Sequence, residues 1–237
     1  MHIIRGVLPV VLASVLLGCE SSPSPSGPSA PPAASAASAT SAIASGSAGP
    51  VGTGGSGPAP TAGDATAGAR TTIEAVDLGD PATIEPLGGL LFTRSGTDAA
   101  RAVLETSDQP DALWAALWVY GTGDTDPAPI RRLVDNADPT IATLAGVTLV
   151  AFGDATGFPA VRKALDTEGQ LSGSHPPRTF RDFAVVALAQ RIAPDASAPT
   201  LDADTEPGAL ADDWGAWLDA HASTLVFDAA AGTWSVP

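Results

Sequence analysis

Apolar positions fall along this chain of 237 residues in three regimes. Over residues 7–17 they form a nearly unbroken run of 11, VLPVVLASVLL. That is too short to cross a bilayer as a helix, which takes about 20 apolar residues, and it has the length of a secretory signal core. Over residues 21–60 no apolar period exists: 36 of the 40 positions are Ser, Pro, Ala or Gly, the exceptions being Thr40, Ile43, Val51 and Thr53. Such a segment cannot bury enough apolar area to offset its chain entropy and is predicted to be disordered. From residue 71 onward the apolar residues recur at helical spacing.

Within that third regime the pattern repeats. Residues 98–106 (DAARAVLET), 129–136 (PIRRLVDN) and 158–166 (FPAVRKALD) align on Val103-Leu104, Leu133-Val134 and Ala164-Leu165, separated by 30 and 31 positions. Each reads as a short amphipathic helix. The first two are followed by Pro-started apolar helices, 110–120 and 139–152, that close at Gly123-Asp124 and Gly153-Asp154. Pro in a first helical turn and Gly at a helix end agree with the periodicity. A Gly/Ser/Pro insertion at 169–177 precedes a third such helix over 178–192. A period near 30 built of two helices predicts an all-α fold, a short α-solenoid in which each pair buries its apolar face against its neighbours.

The two ends of the repeat array need closing. Residues 71–96, with Leu87, Leu90, Leu91 and Phe92, read as a degenerate N-terminal cap. At the other end Trp214 and Trp217 lie three apart on one helix face, and residues 224–227 and 233–236 are placed to fold back about 229–232. These terminal aromatics are expected to form a C-terminal cap, an aromatic recognition surface being the alternative use.

At this point the residues resemble HEAT repeats of the short bacterial kind. Asp138-Pro139-Thr140-Ile141, then Ala145, Leu149, Gly153 and Asp154 follow that family's second helix, with Ala142 where its Arg is common. Phe180-Arg181, followed by Ala184, Ala187 and Leu188, restores that Arg in the third repeat. The resemblance spans about residues 97–193 and implies a protein-interaction or scaffold module.

The N-terminus resembles a bacterial lipoprotein signal peptide, whose lipobox ends in a small residue and the cysteine that is acylated. Leu16, Gly18 and Cys19 follow that pattern, while Leu17 stands where a smaller residue is usual. The resemblance implies lipidation at Cys19, the only cysteine, and attachment to a membrane through acyl chains without a span. Glu20, in place of the Asp of inner-membrane retention, favours the outer membrane of the cell envelope. The implied organisation is a signal peptide over 1–18, a disordered tether over 19–70 and a helical domain over 71–237.

Composition narrows the partners. The chain carries 11 basic and 26 acidic residues, a formal charge of −15. Setting aside Arg5, Arg70, Glu20 and Asp64 leaves 9 basic against 24 acidic in 71–237, so the whole excess sits on the helical domain. Nucleic acid is excluded as a partner, because affinity for phosphate backbones needs clustered Lys and Arg. With one cysteine there is no internal disulfide and no Cys-based zinc site.

Candidate chemistry is sparse. Gly52-Thr53-Gly54-Gly55-Ser56-Gly57 satisfies a GxGxxG spacing, but the sequence predicts neither a strand leading into it nor a helix opening at it. His175 and His221 form no metal-ligand pair, and no metal or cofactor is expected. Asp124 and Asp126, Asp202, Asp204 and Glu206, and Asp212-Asp213 are fragments of calcium-loop spacing without the glycine and terminal Glu of an EF-hand. No catalytic residue emerges; the residual combination, Asp212 and Asp213 with His221, places sequence neighbours that do not face each other. Trp114 and Trp118, at i and i+4, are expected inside the stack and become interaction anchors if exposed. The expectation is an envelope lipoprotein with an acidic interaction module and a protein partner. The rival is an envelope-bound enzyme or ligand-binding subunit with a carboxylate-lined cleft.

Overall fold

The computed structural model describes residues 61–123, 126–174, 176–194 and 197–237. Residues 1–60, with Cys19 and the glycine-rich motif, lie outside the described residues, as do Asp124 and His175. The described chain is mainly helical: α1 (Ala62–Glu74), α2 (Arg94–Thr106), α3 (Pro110–Gly123), α4 (Pro139–Ala151), α5 (Phe158–Asp166), α6 (Phe180–Arg191) and α7 (Ala211–His221), then a hairpin of β1 (Val226–Asp228) and β2 (Thr233–Ser235).

The first difference from the sequence reading is where the folded domain starts. α1 begins nine residues before the boundary placed at 71, so residues 61–70 belong to the helical domain and not to the tether. Thr61 and Asp64 form a capping box: Thr61 Oγ1 accepts from the Asp64 amide at 3.3 Å and the Asp64 carboxylate accepts from the Thr61 amide at 3.0 Å. Two amides that a helix start leaves without partners are thereby satisfied. Ala69 and Ile73 then face inward and are buried.

Similar local chemistry starts other helices. Thr93 caps α2 through the Gly96 amide, Asp138 caps α4 through the Thr140 and Ile141 amides, and Thr179 with Asp182 makes a second capping box at α6. The second difference lies at 129–136, expected to be an amphipathic α-helix. Only Arg131–Leu133 is helical there, as a single 3-10 turn. Pro127 and Pro129 precede it and the Asp138-Pro139 cap follows, leaving too few residues between breakers for an α-helix to propagate.

α3 and α4 are apolar nearly all round, and nearly every residue from Ala112 to Thr122 and from Thr140 to Ala151 is buried. A helix without a polar face must be covered on several sides. α3 packs on α1, α2 and α4, and α4 packs on α3, α5 and α6. Every substantial helix–helix packing joins helices one or two apart in chain order.

The chain end folds as the tail pattern suggested. β1 and β2 pair antiparallel with Phe227 opposite Trp234. The hairpin is held to the helices by Trp234, 3% exposed, whose indole donates to the Val150 carbonyl at 2.9 Å. Its ring meets Phe158 edge-on at 5.0 Å and Phe227 at 5.1 Å. Trp234 also makes a parallel bridge with Ile192, and the Ala193 amide donates to its carbonyl at 2.7 Å. Phe227 lies over Gly153, where φ is +80° and any Cβ would overlap the phenyl ring. Trp214 and Trp217 on α7 are both buried, their rings 5.7 Å apart.

Candidate functional site

One arrangement recurs at the repeat period. Arg101, Arg131 and Arg162 stand 30 and 31 residues apart, at equivalent positions of the three aligned segments. Each reaches a carboxylate supplied by a later element. Arg101 Nη1 donates to Asp126 at 2.8 Å, Arg131 Nε to Asp154 at 2.6 Å, and Arg162 to Asp219 through Nε at 2.9 Å and Nη2 at 3.1 Å. Asp166 takes a further bond from Arg162 Nη1 at 2.6 Å. The two carboxylates hold the Arg162 guanidinium more firmly protonated than usual. Arg132 ties the same segment to α2 by donating to the Leu104 and Ser107 carbonyls at 2.6 and 2.7 Å. The sequence reading found the period but not these arginines; the signal was the aligned Arg that opens RAVLE, RRLVD and RKALD.

Asp154 is the one buried carboxylate among the described residues. Burial alone would raise its pKa, but the Thr156 hydroxyl at 2.7 Å, the Thr156 amide at 3.0 Å and Arg131 outweigh burial and hold it below the usual carboxylate value. Asp64 is likewise held low by its hydrogen bonds from Thr61. The Asp64 shift arises from helix capping, and the Asp154 shift from turn capping together with the Arg131 ion pair.

The residues singled out for interaction fall inside. Trp114 and Trp118 are 3% and 5% exposed, with rings 5.5 Å apart, so neither presents an aromatic stripe to a partner. Burial removes the exposure on which their role as interaction anchors depended. Trp114 is closed over by the 169–177 insertion, where Gly173, at φ +73°, passes so near the indole that a Cβ would sit 2.9 Å from it. Their indole Nε1 atoms and that of Trp214 are sealed from solvent without a hydrogen-bond acceptor among the described residues.

The acidic clusters separate into individual tasks. Asp126 takes Arg101, Asp212 takes Arg181, and Asp202, Asp204 and Glu206 are exposed. His221 lies against Trp217, the two rings tilted with centroids 5.0 Å apart. Among the described residues no group of three or more His, Cys, Asp or Glu is placed to hold a metal ion. No described helix is long and apolar enough to cross a membrane.

Two large apolar side chains are exposed among the described residues, Val226 in β1 and Phe92, the latter 63% exposed and the only described non-glycine residue with positive φ, +62°. The left-handed region costs a bulky residue about 1–3 kcal/mol. The turn that imposes it is locked from both sides. The Leu90 carbonyl accepts from the Thr93 amide at 3.2 Å and its hydroxyl at 2.8 Å, and it approaches α2 so closely that any side chain at Gly96 would overlap it. Ile84, Leu90 and Leu91 around the turn are half-buried, while Asp77, Asp80, Glu85 and Asp98 on the same segment are exposed. By sequence Phe92 belongs to an apolar cap; apolar type alone does not distinguish a ring turned inward from one held out.

Compared with known protein families, with curated proteins and with solved structures, the chain matches none.

Proposed function

We propose that the protein is an envelope lipoprotein, acylated at Cys19, whose acidic helical domain is a HEAT-like α-solenoid acting as a protein-interaction or scaffold module. The observation that carries the repeat reading is packing between chain neighbours, with Arg101 and Arg131, one period apart, pairing with carboxylates 25 and 23 residues further on, while Arg162, a period later, reaches Asp219 in the last helix. In repeat architectures each unit contacts its neighbours and exposes an extended surface for partners. Phe92 supports the interaction role: a ring held in water by a strained backbone gains nothing from folding and is available to a partner. The formal charge of −15 favours a basic segment on that partner, through steering and complementarity.

Two experiments test the two halves. Labelling with a palmitate analogue is expected to mark the protein, and Cys19→Ser is expected to abolish the label and membrane fractionation; label surviving in the variant refutes the anchor. A photo-crosslinking residue placed at Phe92 in native envelopes is expected to trap a protein with a basic segment. Adducts identical to those from exposed Ser223 would refute Phe92 as the contact.

A further inference from the structure

Two charged residues are buried among those described, Asp154 and Arg191. They are treated in opposite ways. Asp154 is matched by Arg131 at 2.6 Å and by Thr156. Arg191, the last residue of α6 and 8% exposed, has no described carboxylate within ion-pair distance. Among the described residues its one side-chain hydrogen bond runs from Nη1 to the Gly232 carbonyl at 3.4 Å, longer than an effective N–H···O bond. A guanidinium carries five N–H donors, and removing it from water without an anion is unfavourable. Burial accordingly lowers its affinity for the proton.

No described carboxylate neutralises Arg191 although the chain carries 26 acidic against 11 basic residues, Asp195 lying outside the described residues. The acid nearest in the hairpin, Asp228, is turned to its own loop, where Oδ1 accepts from the Ala230 and Ala231 amides at 2.8 and 3.2 Å. Gly232 is fixed in turn: its amide donates to the Asp228 carbonyl at 2.7 Å, its φ is +69°, and Trp234 two residues on is anchored under α4. The hairpin turn therefore stands over the guanidinium without neutralising it. The side-chain nitrogens that are sealed and unbonded belong to Trp114, Trp118, Trp214 and Arg181, and not to Arg191. Its remaining donors therefore keep some contact with solvent.

We propose that Arg191 and the β1–β2 turn form a receptor for one carboxylate, taken by the free edge of the guanidinium as a two-pronged ion pair. A planar carboxylate matches the guanidinium fork in geometry. A monoanion also fits the acidic surroundings better than a phosphate dianion, which the field of this domain repels twice as strongly. The carboxylate comes either as a free small acid or as the chain terminus of a partner.

The test is nuclear magnetic resonance of the full chain, following the Arg191 Nε–H signal, assigned by its loss in Arg191→Lys. The probes are sodium acetate, a capped trialanine with a free C-terminus and the same peptide amidated, with sodium chloride and phosphate at matched ionic strength. A saturable shift with acetate and with the free-terminus peptide, absent for the amide and for chloride, is expected. Acetate alone would assign the site to small acids, and the peptide binding more tightly would assign it to a partner's terminus. Arg191→Lys, which keeps the charge but loses the fork, is expected to bind acetate at least about tenfold more weakly. A shift that does not saturate, or that chloride reproduces, overturns the proposal; so does undiminished acetate binding by Arg191→Lys, read from the Gly232 amide.

Discussion

Replacing Trp234 with alanine tests whether the C-terminal hairpin is a structural part of the helical stack or an appendage to it. The indole is almost fully buried between Phe158 and Phe227 and donates to Val150, 84 residues earlier. Truncating a buried Trp to Ala costs about 3–5 kcal/mol. The orphaned-acceptor penalty is small, because the Val150 carbonyl also accepts from the Gly153 amide at 3.2 Å. For a domain of this size each kcal/mol moves the melting temperature by about 2–4 °C, so Trp234→Ala is expected to lower it by about 6–20 °C. Scanning calorimetry of the full chain reads the shift, and Trp234→Phe, which keeps an aromatic ring but loses the hydrogen bond and part of the buried indole, is expected to lose less than Trp234→Ala. A fall of under about 2 °C for Trp234→Ala, well below the range that buried-Trp truncation implies, would refute the argument that the hairpin is an integral part of the helical domain.

Other perturbations bear on single elements. Asp154 has a pKa held below its ordinary value of 3.8, so its contribution to stability is complete above about pH 4 and is lost as pH falls through its folded pKa. Melting curves from pH 7 to pH 2 are expected to show a steeper acid decline for the parent than for Asp154→Asn. That variant is expected to be about 1–2 kcal/mol less stable at pH 7, since Asn retains the turn-capping acceptor but not the charge-assisted bonds; parallel pH profiles would contradict this. A fragment beginning at residue 61 is expected to melt higher than one beginning at 71, because the latter loses Ala69, most of α1 and its capping box; equal melting temperatures would restore the later domain boundary.

Local chemistry was largely legible in the amino-acid order. Apolar periodicity, Pro at helix starts and Gly at helix ends located α2, α3, α4, α5 and α6 to within a few residues, because each signal acts within one or two helical turns. The hairpin was legible for the same reason, two short apolar stretches about a small-residue turn. The start of α1 was written in Thr61 and Asp64 but was masked by the small-residue composition around them.

What only the tertiary structure decided is which side of each element meets another. Trp114 and Trp118 share their helical spacing with exposed aromatic stripes, and their burial follows from α1, α2, α4 and the 169–177 insertion closing around α3. Phe92 shares its apolar type with core residues, and its exposure follows from the close approach of Leu90 to Gly96, which turns the backbone outward. Arg191 is one basic residue among 11 until the hairpin folds over it. Spacing along a chain determines the face a side chain occupies, whereas burial and charge pairing depend on contacts between distant segments, such as Trp234 with Val150, that no local pattern encodes.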